Sequence, residues 1–321
     1  MVKINQYLFF LLFISLIGCR KDVDLFIPAP YTQQDIKSVL ASSLHPLDEV
    51  VADFDPSITN VINIGSGFQI EIPANALIAA NGQNFTCENV HFVYSPINTF
   101  ASQLRDFQSS VEYQTQRILQ TENSFVISIT CDDTALLLKE GQNIRVRIPN
   151  ISKTVDKALY ESITLDDDLI KFWKRTGSTN SIEAAEWTFE STNYQGVTLL
   201  LDELGAFTIG QSIESDSQAK VDVCFDYPQN FATTNTVPFI YLKNSKSLVI
   251  VKGNEEYSMC VNNLPVGTSI KIGSISKVIE NYFWDSYNNY VVPNISNATV
   301  KVTPNLTTKD EISGFISVFV E

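Results

Sequence analysis

Two periodicities divide the chain. Apolar side chains first recur at helical spacing, at Ile36, Val39, Leu40 and Leu44. Thr32 with Asp35 three residues on supplies a capping-box start, and Pro46 a stop. One apolar stripe on one short helix predicts a lid docked on the domain that follows it. From residue 61 the period becomes two. Phe68, Ile70 and Ile72 alternate with polar residues, as do Val90, Phe92 and Tyr94, then Phe125, Ile127 and Ile129, then Ile144, Val146 and Ile148. Asn81-Gly82 and Glu140-Gly141 are turn signals, and Ser66 between two glycines reads as a hairpin turn. Short strands with no helices between them predict antiparallel sheets. Residues 151 to 186 carry little pattern, with one helical turn expected at Asp156 to Tyr160. Alternation returns at Trp187 and Phe189, at Val197, Leu199 and Leu201, and at Phe207 and Ile209.

Gln211 to Gln218, rich in Ser and acid, is the best linker candidate. Beyond it, strands are expected at Val221 to Phe225, Val237 to Tyr241, Leu248 to Ile250, Tyr257 to Val261, Ile270 to Ile272, Val300 to Val302 and Phe315 to Val320. Turns are expected at Asn244-Ser245, Gly253-Asn254 and Pro265 to Gly267. That count matches an immunoglobulin-like sandwich. The segment holding Tyr282, Phe283, Trp284, Tyr287 and Tyr290 interrupts the pattern and is diluted by asparagines. It reads as a loop with two outcomes: its rings pack back on the sandwich, or Tyr282, Trp284, Tyr287 and Tyr290 form an exposed surface for a glycan or a protein.

The chain opens with Lys3 and an apolar run from Tyr7 to Ile17. The run is too short to cross about 30 Å of hydrocarbon as a helix. With Leu16-Ile17-Gly18 directly before Cys19, it resembles a bacterial lipoprotein signal with its lipobox. The resemblance implies cleavage before Cys19, a diacylglyceryl group on its thiol and a further acyl chain, such as palmitate, on the new amino group. Lys21-Asp22-Val23-Asp24 resembles the signal that sends Bacteroidota-type lipoproteins to the outer face of the outer membrane, and Arg20 after the cysteine disfavours inner-membrane retention by the same resemblance. Gly67 to Asn81, with Ile72-Pro73-Ala74-Asn75-Ala76-Leu77 at its centre, and then Leu119 to Phe125 and Gly141 to Pro149, resemble ZU5-like β-sandwich domains over residues 60 to 150. Some relatives of that fold cut themselves at a His-Phe-Ser site; here Val93 follows His91-Phe92, so self-cleavage is not implied. Asp133-Thr134-Ala135 resembles an O-glycosylation motif of exported proteins from the same bacteria.

The expected fold is therefore all-β: two antiparallel β-sandwich domains after a signal peptide (1–18), with a tether and one short helix (19–60). The first domain, ZU5-like with an extension, covers 61–212; the second, immunoglobulin-like, covers 219–321.

Acidic residues outnumber basic ones, 36 to 22, for a formal charge of −14. That balance excludes nucleic acid and any electrostatic grip on anionic lipid, so the acyl chains must hold the protein at its membrane. Setting Cys19 aside leaves Cys87, Cys131, Cys224 and Cys260. An exported chain permits two disulfides among three pairings, and proximity favours Cys87 with Cys131 and Cys224 with Cys260; four buried free thiols are the alternative. Strand parity turns Cys224 and Cys260 outward, which favours that bridge.

No HExxH, CxxC, GxSxG or dinucleotide fingerprint is present. His45 and His91 read as structural, and Asp166-Asp167-Asp168 as a solvated loop lacking calcium-loop spacing. No catalytic residue, metal or cofactor is expected. The leading function is a non-enzymatic, lipid-anchored outer-membrane or surface protein for binding, adhesion or assembly; the rival is a carbohydrate-active or other hydrolytic envelope enzyme, which would need only two carboxylates.

Overall fold

The computed structural model describes residues 32–44, 49–87, 90–165, 169–213, 218–255, 258–296 and 298–320. Cys19, the signal and tether before Thr32, His45, the Asp166 to Asp168 run and the centre of the expected linker lie outside them. The protein is built mainly of β-strands in several antiparallel sheets, an all-β sandwich fold. The described residues fall within one compact unit, Tyr31–Glu321.

The first half stacks two sheets. One is nine-stranded, with the order β1(Val50–Phe54), β5(Val90–Pro96), β7(Leu119–Cys131), β14(Gly205–Ser212), β10(Ala158–Thr164), β11(Lys171–Arg175), β6(Gln108–Glu112). The short pair β4(Leu77–Ala79) and β8(Thr134–Leu138) extends it beside β7. The other runs β12(Ser181–Phe189), β13(Thr192–Leu201), β9(Ile144–Pro149), β3(Phe68–Ile72), β2(Asn60–Gly65). Alternation explains the stacking: Phe92, Phe125, Ile129 and Phe207 from the first sheet meet Ile70, Val146, Val197 and Leu199 from the second in one buried cluster.

The second half has a four-stranded sheet, β18(Gly253–Glu255)-β19(Ser258–Pro265)-β15(Lys220–Asp226)-β22(Ala298–Lys301). It faces a five-stranded one, β17(Ser247–Ile250)-β16(Thr236–Leu242)-β20(Ser269–Val278)-β21(Asn281–Val291)-β23(Asn305–Thr307). Among the described residues nine strands thus stand where about seven were expected. Two pairings, β6 with β11 and β15 with β22, are parallel.

Several expectations are corrected. Phe315 to Val320 is not a strand but part of a helix, Lys309–Val320. Its Ile312, Ile316 and Phe319 are buried at helical spacing, and Glu311 caps its start by accepting from the Thr308 backbone and hydroxyl at 2.9 Å each. The aromatic segment is not a loop but β21, a strand between β20 and β23. Val50–Phe54, assigned to the tether segment, is β1, paired along its length with β5. A short helix, Phe100–Arg105, stands between strands where none was expected, capped by Thr99. Asp156 to Tyr160 is a turn leading into β10, and Gly253-Asn254 opens β18.

The N-terminal helix, α1 (Gln33–Ser43), forms as its periodicity predicts, with the Thr32 N–H donating to Asp35 at 2.8 Å. Its apolar stripe docks only in part on the domain that follows, through Phe100–Arg105. It packs with that helix, α2, and with α3 (Lys309–Val320), β16 and β20 of the second half. Phe100, Phe239 and Phe319 meet at ring-centroid distances of 5.3 to 5.6 Å, so elements from the start, middle and end of the chain share one core.

That core also draws Val111, Ile118, Ile170 and Phe172 from the first half. Where the halves meet, β6 lies beside β17. The Ser109 and Ser110 hydroxyls accept from the Ile250 and Leu248 backbone at 3.2 Å each, and the Ser247 hydroxyl donates to the Leu119 carbonyl at 2.7 Å. All three serines are completely buried, so these bonds satisfy backbone groups at the junction of the halves.

Candidate functional site

Both cysteine pairs favoured by proximity form disulfides, Cys87 with Cys131 and Cys224 with Cys260. Cys224 and Cys260 stand directly opposite on β15 and β19, as parity requires.

The aromatic residues divide between two environments. Trp284 is not exposed: it is 7% accessible and stacks on Phe315 of α3 at 5.8 Å, with Phe239 and Phe319 each at 5.9 Å. The reason is register, since Trp284 opposes Ile275 on the face of β20 and β21 that the helices cover. Tyr282 and Tyr290 are half-buried, Tyr282 beneath the Lys277 ammonium. Tyr287 is 39% exposed and donates to the Lys301 carbonyl at 2.6 Å. The four therefore do not form one exposed surface.

His91 is a half-exposed surface residue on β5, bonded to Asp53 directly opposite on β1. Ser66 occupies the β2–β3 hairpin turn at φ +50°. Thr134 is exposed where β8 begins. No group of three or more metal-ligating side chains is gathered among the described residues, and no described helix is long and apolar enough to cross a membrane.

Two cavities are lined by both halves, and a third by the first half alone. The start of β7 passes between two of them. Ile118 lines an apolar cavity of about 150 Å³ with Val111, Phe172, Val249 and Val261. Gln120, two residues on, lines a polar one of about 440 Å³. A third, open cavity of about 690 Å³ reaches the β12–β13 ribbon and shares Asn150 and Ile151 with the polar one. The two polar cavities thus adjoin as one furrow.

Four asparagines supply the furrow's chemistry, each placed by a local backbone feature. Asn98 lies on the link from β5 to α2. Asn123 stands in a bulge of β7, where the pairing with β14 shifts between Phe207 and Ile209, and has φ +49°. Asn150 follows the end of β9 at φ +62°. Asn244 is in the β16–β17 turn, which Ser247 pins to β7. The left-handed region explains why asparagine suits two of these positions. Asn244 was expected in a turn; its convergence with Asn98, Asn123 and Asn150 left no local signal.

A carboxylate pair also emerges that no motif nominated. Glu161 on β10 accepts from Lys174, its partner on β11, at 2.8 Å. Glu203, in the β13–β14 turn, is pushed up to about 7 by burial, by its hydrogen bond to Glu161 and by repulsion from Glu161 and Asp202, against the pull of Lys174. Neither glutamate lines the three cavities.

Set against protein-family models and curated proteins, the chain matches none.

Proposed function

We propose that the chain is a lipid-anchored envelope protein of the outer membrane that works by binding rather than by catalysis, with the junction furrow as its binding locus. The observation that carries the reading is the allocation of cysteines. Of the five in the sequence, four close two disulfides, and the fifth is Cys19, at the end of the apolar run. Two disulfides suit an oxidising compartment outside the cytoplasm. A lone cysteine after Leu16-Ile17-Gly18 suits acylation, and two or three chains at about 0.8 kcal/mol per buried methylene make release negligible. In this reading residues 60 to 150 are the ZU5-like module, the strands after 219 an immunoglobulin-like one, and Lys21-Asp22 directs the protein to the outer face. A furrow walled by both halves supports binding, because the core they share keeps those walls in register.

The hydrolase reading has the Glu161–Glu203 pair in its favour, but the cavities to which a substrate would be brought are lined by other residues. Fractionation tests the anchor and protease shaving tests the face. Wild type should sediment with outer membranes and be degraded by protease added to intact cells, whereas Cys19→Ala should be released as soluble protein. Sedimentation of Cys19→Ala with the membrane would refute the anchor, and full protection of wild type would refute surface display.

A further inference from the structure

We infer that the furrow binds a neutral, hydroxyl-rich glycan chain, an assignment that rests on the binding reading above. Its walls present the amides of Asn98, Asn123, Asn150 and Asn244, and among the described residues none of these four side chains has a hydrogen-bond partner. An amide offers two donors and two acceptor sites. Vicinal sugar hydroxyls, which donate and accept from adjacent carbons, match that two-way pattern.

Charge narrows the class. The ionised residues along the furrow are Glu122, Glu186, Lys153 and Lys246, two of each sign, in a chain carrying −14. Both acids are already engaged, Glu122 by Lys157 at 2.8 Å and Glu186 by Gln195 at 3.0 Å. A polyanion would meet the repulsion of the whole protein without a cationic cluster to offset it. A peptide would require apolar pockets for its side chains, and the apolar lining here is Ile151 with Ala184, Ala185 and Gly196. Small residues instead keep the floor low. Gly196 is obligatory, since any Cβ there would collide with the Ile148 carbonyl across the β13–β9 pair. The adjoining cavities, about 440 and 690 Å³, give the open-ended length that a chain of several sugars occupies. Among the described residues no aromatic face lines either cavity, so recognition comes from hydrogen bonds and is weak per sugar.

Affinity electrophoresis reads weak binding of this kind. The purified full chain would be run in native gels containing dextran, mannan, xylan or mixed-linkage β-glucan, with polygalacturonate as the anionic control. At least one neutral polysaccharide should retard it, polygalacturonate should not, and the Asn98→Ala/Asn244→Ala double variant should weaken the retardation about tenfold or more. Neither substitution meets a left-handed backbone, so the fold is kept, and an unchanged melting curve checks this. Absence of retardation in all four neutral gels, retardation by polygalacturonate of equal strength, or retardation indifferent to the double variant would each overturn the assignment. Because the purified protein is scored apart from its membrane, a negative gel leaves the Cys19 anchor standing, and a soluble native protein would leave a positive gel standing.

Discussion

Replacing Trp284 by alanine separates the two fates open to the aromatic segment. An exposed contact residue could be truncated with almost no change in melting temperature. In the structure the indole is 7% accessible and lies among Phe239, Phe315 and Phe319, with Phe315 stacked on it at an interplanar angle of 9°. Truncating a buried tryptophan costs about 3 to 5 kcal/mol, from lost transfer energy and the cavity left behind. The upper part of that range is expected here, because α3 rests on this ring through two phenylalanines and cannot collapse into the gap without leaving Ile312 and Ile316 unsupported. For a unit of this size the melting temperature should fall by on the order of 10 °C. Urea unfolding followed by tryptophan fluorescence and, separately, by far-ultraviolet circular dichroism would measure the loss and check that both probes report one transition. Phe315→Ala, at a ring that is 39% exposed, should cost less than half as much. A loss below about 1 kcal/mol for Trp284→Ala would refute the packing described and restore the exposed surface.

Non-reducing peptide mapping should recover Cys87 joined to Cys131 and Cys224 joined to Cys260. Each closes a loop, of 44 and 36 residues, and losing either should cost about 3 to 4 kcal/mol by loop entropy; free thiols or crossed pairs would refute the two bridges. Glu203 gives a pH dependence of definite sign. Its folded-state pKa of about 7 exceeds the ordinary 4.5, so the folded chain retains a proton that the unfolded chain has lost. Stability from this group is full below pH 4.5 and declines as pH rises through 7, by an amount that solvent screening keeps modest. Glu203→Gln should flatten that part of the urea-midpoint profile, and an unchanged slope would show that Glu203 titrates normally.

The alternating strands were legible because one face of each is buried, and period two is then imposed by the core; Phe125, Ile127 and Ile129 are 0 to 1% exposed. The last helix was not. Phe315-Ile316-Ser317-Val318-Phe319-Val320 is rich in aromatic and β-branched residues and reads locally as a strand, while the cues that decide it are Ile312 four residues before Ile316 and the capping pair Thr308 and Glu311. Trp284 was misplaced for a related reason. The asparagines that suggested a loop mark the exposed outer part of β21, and the aromatic density reflects a strand covered on both faces, by α3 over Trp284 and by Phe231 against Phe283 at 5.2 Å. The junction could not be read at all, since Ser109 and Ser110 are unremarkable until β17 is laid beside them. The furrow was hidden in the same way: its four asparagines come from separate turns and a bulge, where asparagine is common for backbone reasons alone.

Processing and acylation at Cys19, on which the proposed anchoring depends, can be read from the mass of the N-terminal peptide after extraction from outer membranes. Proteolysis followed by mass spectrometry should yield a peptide beginning at Cys19 and carrying a diacylglyceryl thioether, with or without a further amide-linked acyl chain. A peptide beginning at Met1, or one beginning at Cys19 with an unmodified thiol, would rule out the lipid anchor.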